Sequence, residues 1–378
     1  MTGRLSDVPH LDVDALIADH NVRIIVCCGS GGVGKTTTSA ALALRAAERG
    51  RKAVVLTIDP ARRLAQSMGL TELDNRPRPV AGVDTSRGGS LDAMMLDMKR
   101  TFDEVVESHA TPAKAAQILG NPFYQALSSS FAGTQEYMAM EKLGQLYAEA
   151  LRSDRWDLIV VDTPPSRSAL DFLDAPERLS SFLDGRLIRL LLAPAKGPAR
   201  LFSAGMAVVT NTISKVLGGQ MLRDVQTFVA AFDTLFGGFR ARAESTYRVL
   251  KHKQTAFVVV ASPDADALRE AAFFVERLAE EEMPMAGLVL NRVTPPAAQG
   301  ISAQAALAAA ERLGDDDTVT AALLRLHADR LGRINTERGL RRRFAAAHPA
   351  VSTATVAALP TDVHDLVSLR TIGDSMAA

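Results

Sequence analysis

One stretch constrains this chain more than any other: Ile24 to Gly50, IIVCCGSGGVGKTTTSAALALRAAERG. A short apolar run, Ile24 to Cys28, reads as a buried strand, and a glycine-rich turn follows it. A helix then carries Ala40, Ala43, Leu44 and Ala47 on one face and stops at Gly50. Gly29 to Thr36 fits the phosphate-loop spacing G-x-x-x-x-G-K-[ST], with strand before it and helix after it. A chance glycine turn would lack those flanks. Gly29, Gly31, Gly32 and Gly34 have no side chains, so the backbone amides from Ser30 to Lys35, with Val33 among them, can close around phosphate oxygens. The helix start adds partial positive charge, Lys35 a full one, and the Thr36 hydroxyl is a Mg²⁺ ligand by type, with Thr37 beside it. The segment predicts a nucleoside triphosphate site.

At 378 residues the chain is longer than one compact core needs, so a large domain with an insertion or a pair of domains is expected. Lys+Arg and Asp+Glu both number 43, so the overall balance gives a nucleic-acid surface no support. The only cysteines, Cys27 and Cys28, are strand neighbours that point to opposite faces. They read as small core residues, and no C-x-x-C exists to hold zinc. The opening MTGRLSDVPH lacks the order of a secretory signal, and no apolar run reaches spanning length. A cytoplasmic protein without stable membrane insertion is expected.

Along the chain, Ala53 to Ile58 reads as a second strand ending in Asp59-Pro60, which places Asp59 at the carboxyl edge of the sheet or makes it a helix cap. Residues 71–90 read as an exposed connection, Leu91 to Met98 as a mixed strand, and Thr101 to Leu151 as helices broken at Pro112, Gly120 and Gly133. Trp156 to Val161 forms a third clear strand ending in Asp162, the Walker B arrangement in which a carboxylate holds Mg²⁺ directly or through water. Met221, Val225, Phe228, Phe232 and Leu235 make one helical stripe, either packed as core or left as a groove for an apolar client protein. Strands return at Thr255 to Ala261, Ala286 to Asn291 and Val351 to Leu359, with helices at about 266–282, 321–347 and 362–372. Six arginines from Arg330 to Arg343 read as a solvated basic face. The expected fold is a doubly wound, mostly parallel α/β sheet forming one domain over 1–378, with a helical insertion subdomain from about 101–150 and 172–250.

These pieces together resemble the ArsA/Get-type ATPases, a branch of the deviant-Walker (MinD-like) phosphate-loop dimers. GSGGVGKTT stands where that family has GKGGVGKT, TIDPARRLAQSMG is similar to its switch I, and FAGTQEYMAMEKL to its P-G-x-x-E-A helix. DTPPSRSALDFLDAP resembles switch II, and LVLNRV and ALPTDVHDL resemble the segments that enclose adenine. The resemblance implies a dimeric, Mg²⁺-dependent ATPase that closes over ATP and couples nucleotide state to a helical client-binding subdomain. By position, Asp59 would orient the attacking water, Asp162 would sense γ-phosphate and Mg²⁺, Asn291 would bond the adenine edge, and Leu359 and Pro360 would pack on the ring.

Departures from the pattern carry information as well. Ser30 occupies the place of the family's second lysine, which implies either pairing with a paralogue that keeps the lysine or an ATP-gated module with little hydrolysis. Homodimer and heterodimer both stay open. In switch II, Arg167, Ser168 and Asp171 replace the usual glycine, histidine and arginine, and Arg167 is a candidate replacement cation. The zinc and metalloid cysteines of family branches are absent, so no zinc is expected. The ending SLRTIGDSMAA lacks the basic apolar stripe of a membrane helix.

Overall fold

The structure, a computed structural model, describes residues 9–58, 63–70, 73–122, 124–125, 134–164, 241–298, 300–313 and 317–378. Asp59, switch II beyond Pro164 with Arg167, Ser168 and Asp171, and the Met221 to Leu235 stripe lie outside the described residues, as does the rest of 172–240. In chain order the named elements begin with α1 (Val13–Ala18), β1 (Ile24–Cys28), α2 (Lys35–Glu48), β2 (Lys52–Thr57) and α3 (Arg63–Ser67). Next come β3 (Arg78–Pro79), β4 (Ser90–Met95), α4 (Met98–His109), α5 (Pro112–Leu119), α6 (Thr134–Arg152) and β5 (Leu158–Asp162). The last are β6 (Thr255–Ala261), α7 (Ala265–Glu280), β7 (Met285–Val293), α8 (Ala303–Leu313), α9 (Thr318–Ala347), β8 (Thr353–Ala357) and α10 (Leu366–Met376).

Eight strands form one sheet in the order β3-β4-β2-β5-β1-β6-β7-β8. Every pairing is parallel except that of the two-residue β3 with β4. Strands covered on both faces need unbroken apolar runs rather than alternation, and β1, β5 and β6 are buried at every position. The chain leaves β1 toward β2 on one side, returns as β5, and crosses to β6 on the other. Reversal of direction about a central strand opens a crevice at the carboxyl ends, and it falls at β1. This is the doubly wound α/β architecture the sequence predicts.

Helix α2 packs on β1, β2 and β5 and against α10. Arg45 links three helices, holding Asp14 of α1 and Asp374 of α10 at 2.6 Å each. A deeper brace lies at the amino edge of the sheet. The Arg51 side chain, 3% exposed, donates to the carbonyls of Ile17 (2.7 Å), Asp19 (3.1 Å) and Val22 (2.9 Å), and to both the carboxylate and the carbonyl of Asp157 (2.9 Å each). It thereby ties the lead-in, β2 and the approach to β5 together.

The segment read as a strand to Met98 ends at Met95, because Asp97 accepts the amide of Arg100 and starts α4. The final helix begins later than expected, capped by Asp365 on Ser368. Of the ranges expected to form a helical insertion, the described parts are α4, α5, α6 and helical residues 241–251. A cavity of about 620 Å³ opens between α6 and residues 242–249, lined in part by Tyr147, Leu151, Thr246 and Val249.

Past β7, α8 and α9 pack on one another. The middle of α9 is fastened to the exit of β7: the buried Glu337 accepts the Thr294 amide (3.0 Å) and hydroxyl (2.5 Å), and Arg330 donates to the Pro295 carbonyl. The amino-terminal part of α9 leaves Val319, Leu323 and Leu326 exposed.

Candidate nucleotide site

The loop at the end of β1 requires glycine at two positions, by a backbone contact at one and a left-handed angle at the other. At Gly29, with φ 150°, a Cβ would stand 2.1 Å from the Val260 carbonyl oxygen of β6. At Gly34, with φ 95°, a Cβ would meet the Asn291 amide nitrogen at 2.1 Å. Helix α2 starts at the next residue, and Gly34 gives it no side-chain cap, so its first amides remain available to an anion. Lys35 is buried at 6% exposure, and its ammonium donates to the carbonyls of Gly29 (2.9 Å) and Ser30 (2.8 Å). The one full charge of the loop is thus folded over its own beginning.

Thr36 and Thr37 are half-buried, whereas Thr38 and Ser39 face the interior, where Ser39 donates to the Lys35 carbonyl (2.9 Å). Ser30 is buried too, at 9% exposure. Asp162, the last residue of β5, pairs in register with Cys27 of β1 and Thr57 of β2, so its carboxylate sits level with the base of the loop. It is fully buried, and one oxygen accepts the Thr57 hydroxyl at 2.9 Å. Thr163 donates its hydroxyl to the Cys27 carbonyl (2.9 Å), fixing the strand end that presents Asp162. Burial pushes the Cys27 thiol up to about 12, helped by the Asp162 charge, and burial raises Cys28 as well. Neither thiol is a nucleophile at neutral pH.

On the other side of the loop, the exit of β7 supplies two contacts. Asn291 donates its amide nitrogen to the Val33 carbonyl (2.9 Å), and Arg292 donates through Nη1 to the Gly32 carbonyl (2.9 Å). The Ala358 amide bonds the Val293 carbonyl (2.8 Å), which brings the segment with half-buried Leu359 and exposed Pro360 beside that exit. The structure therefore gathers the loop, Asp162 and Asn291 around one sheet edge, with Leu359 and Pro360 on the neighbouring strand end. Thr57 and Arg292 also belong to this constellation; both stand in segments that carry the family resemblance, but neither has a role of its own in the sequence reading. Thr57 is an ordinary strand residue until β2 and β5 are paired, and Arg292 carries no motif beyond its place after Asn291.

The donor set fits Mg²⁺ and a polyphosphate. It offers hydroxyl and carboxylate oxygens with a nest of amides, and a hard cation of this size leans on phosphate oxygens and water rather than on a protein cage. Among the described residues, no three His, Cys, Asp or Glu side chains come together to hold a metal by themselves.

The family model for anion-transporting ATPases, ArsA, matches residues 22–311. The chain belongs to the ArsA ATPase family. ATPase BagA of Mycobacterium tuberculosis is 25% identical to it over 309 residues, covering 80% of this chain and 74% of the relative. The ATPase ASNA1 homolog of Cryptosporidium parvum is 27% identical over 270 residues, covering 71% and 64%. ATPase get3 of Schizosaccharomyces pombe is 24% identical over 285 residues, covering 74% and 76%. The match spans the strands that carry the loop, Asp162 and Asn291 of this ArsA-family chain. Among its described residues, no helix is long and apolar enough to cross a membrane.

Proposed function

We propose that this ArsA-family chain binds and hydrolyses ATP with Mg²⁺ as a dimer, and that nucleotide state governs binding of an apolar client by its helical part. The observation that supports this best is the closed phosphate loop at the central strand, with Lys35 within it and Asp162 at its base. The backbone amides from Ser30 to Thr36, with Thr37 following, hold the phosphates, and Lys35 leaves the loop carbonyls to neutralise them. Thr36 and Asp162 hold the metal, which supplies charge neutralisation on the transferring phosphoryl group. Asp59 orients the attacking water, Asn291 meets the adenine edge, and Leu359 with Pro360 covers the ring. Catalysis of this kind is positioning and electrostatics rather than covalent chemistry by the protein. Lys35→Ala is expected to weaken Mg·ATP binding by at least about 100-fold in calorimetry, on the order of a lost charge-assisted contact in a preorganised site. Native-like affinity in that variant would refute the assignment.

Ser30 favours pairing with a paralogue whose loop has a lysine there, since a hydroxyl cannot neutralise charge across a dimer. Mixing the purified chain with such a paralogue is expected to raise turnover well above the sum of the two alone. Additive rates would leave the second reading, an ATP-gated interaction module with little hydrolysis. The cavity of about 620 Å³ beside α6, where Leu143, Tyr147, Leu151 and Val249 supply apolar surface within a rim of Glu149, Arg152 and Arg242, supports a client with an apolar face.

A further inference from the structure

A polyphosphate brings several negative charges to a loop whose own segment, Gly29 to Thr37, contains one full cation, Lys35. A second cation touches that loop from outside it. Arg292, the last but one residue of β7, sits where the register with β8 shifts and has φ 61°, a left-handed conformation uncommon for any residue but glycine and held only where the surroundings impose it. Its amide is fixed by the Asn291 side-chain oxygen at 3.0 Å. In an extended strand, neighbouring side chains point to opposite faces, so Asn291 and Arg292 would not both reach the loop. The left-handed residue lets both do so, and they take the consecutive carbonyls of Val33 (2.9 Å) and Gly32 (2.9 Å). The guanidinium is exposed, and at Gly32 nothing stands within 4 Å of where a Cβ would be, so this rim of the loop is open.

We propose that Arg292 is the second cation of the phosphate site: a positioning residue that places a permanent charge on the Gly32 peptide, one backbone thickness from the bound phosphates. The proposal rests on the ATP-binding reading above. Asn291 accounts for the mechanical latch on the loop, whereas only Arg292 adds charge. A guanidinium keeps that charge at every working pH.

The test separates charge from hydrogen bonding. Arg292→Gln keeps an N–H group for the Gly32 carbonyl and removes the charge, while Arg292→Lys keeps the charge and loses the planar fork. Calorimetry with Mg·ATP is expected to show Arg292→Gln weakened about ten-fold and Arg292→Lys within about three-fold of the native chain, the size expected of one partly screened charge. The gap between Arg292→Gln and the native chain should narrow as salt rises. Native affinity in Arg292→Gln, or a loss that salt does not alter, would overturn the proposal and leave Arg292 a neutral brace. Thermal melts of both variants, at an exposed position, check that the fold is retained; if Arg292→Gln melts early, Arg292→Lys and the salt series still decide. Lys35→Ala belongs in the same series. Native binding that Lys35→Ala abolishes, beside unaffected Arg292 variants, sinks this inference alone. No uptake by the native chain sinks the ATP reading itself.

Discussion

Asp162→Asn is expected to lower ATP turnover by about 10²–10³ while leaving Mg·ATP binding within a few-fold of native, because the charge is needed most when phosphoryl charge is moving. The substitution is nearly isosteric. Its amide oxygen can still accept the Thr57 hydroxyl that now reaches the carboxylate at 2.9 Å, so the strand ends of β2 and β5 should stay in register. Single-turnover measurements beside equilibrium binding make the separation. A variant that hydrolyses ATP at the native rate would remove Asp162 from the chemistry, and one that merely fails to fold would show it in circular dichroism. The expected pattern, intact uptake with slow turnover, is distinct from that of Lys35→Ala, which fails at uptake.

The second large effect concerns stability. Arg51→Met is expected to reduce the unfolding free energy by about 2–4 kcal/mol, since it removes a buried guanidinium that five bonds hold in place. The Asp19 carbonyl keeps the Val22 amide, and the part-exposed Asp157 carboxylate keeps the Lys52 amide. The carbonyls of Ile17, Asp19 and Val22 and the Asp157 carboxylate all lose a donor together. Methionine retains most of the side-chain volume, so a cavity contributes little to the loss. Denaturant titration should show a lower midpoint with an unchanged slope. A change under about 1 kcal/mol would mean that water replaces the guanidinium without penalty, contrary to the 3% exposure of this side chain.

Much of this molecule is written in short-range pattern. Strands β1, β5 and β6 are apolar at nearly every position because both faces are covered, and such runs stand out in the sequence. The loop shows equally plainly, since glycine is forced at Gly29 by the β6 backbone and at Gly34 by a left-handed backbone angle. The sequence could reveal the glycines but not the contact and the angle that require them. Elements set by caps were harder to place: Asp97 and Asp365 start α4 and α10, and carboxylates of that kind are common in loops. What stayed hidden was long-range. Arg51 resembles any arginine after a helix, and its partners lie about 30 residues before it and 106 residues after it. Arg292 was invisible for a related reason. Its left-handed backbone angle has no signature outside glycine and asparagine, yet that angle decides where its charge goes.

The attachment of α9 to the β7 exit turns that helix into a strut. Thirty residues make a rod about 45 Å long. Its anchor lies at Arg330 and Glu337, which grip residues 294–296 just past the pair that clasps the loop. The arm beyond the anchor, from Thr318 to Asp329, extends about 18 Å and bears Val319, Leu323 and Leu326 on its outer side. Those bare aliphatic groups and the phosphate rim are therefore joined through one continuous helix, against which α8 packs.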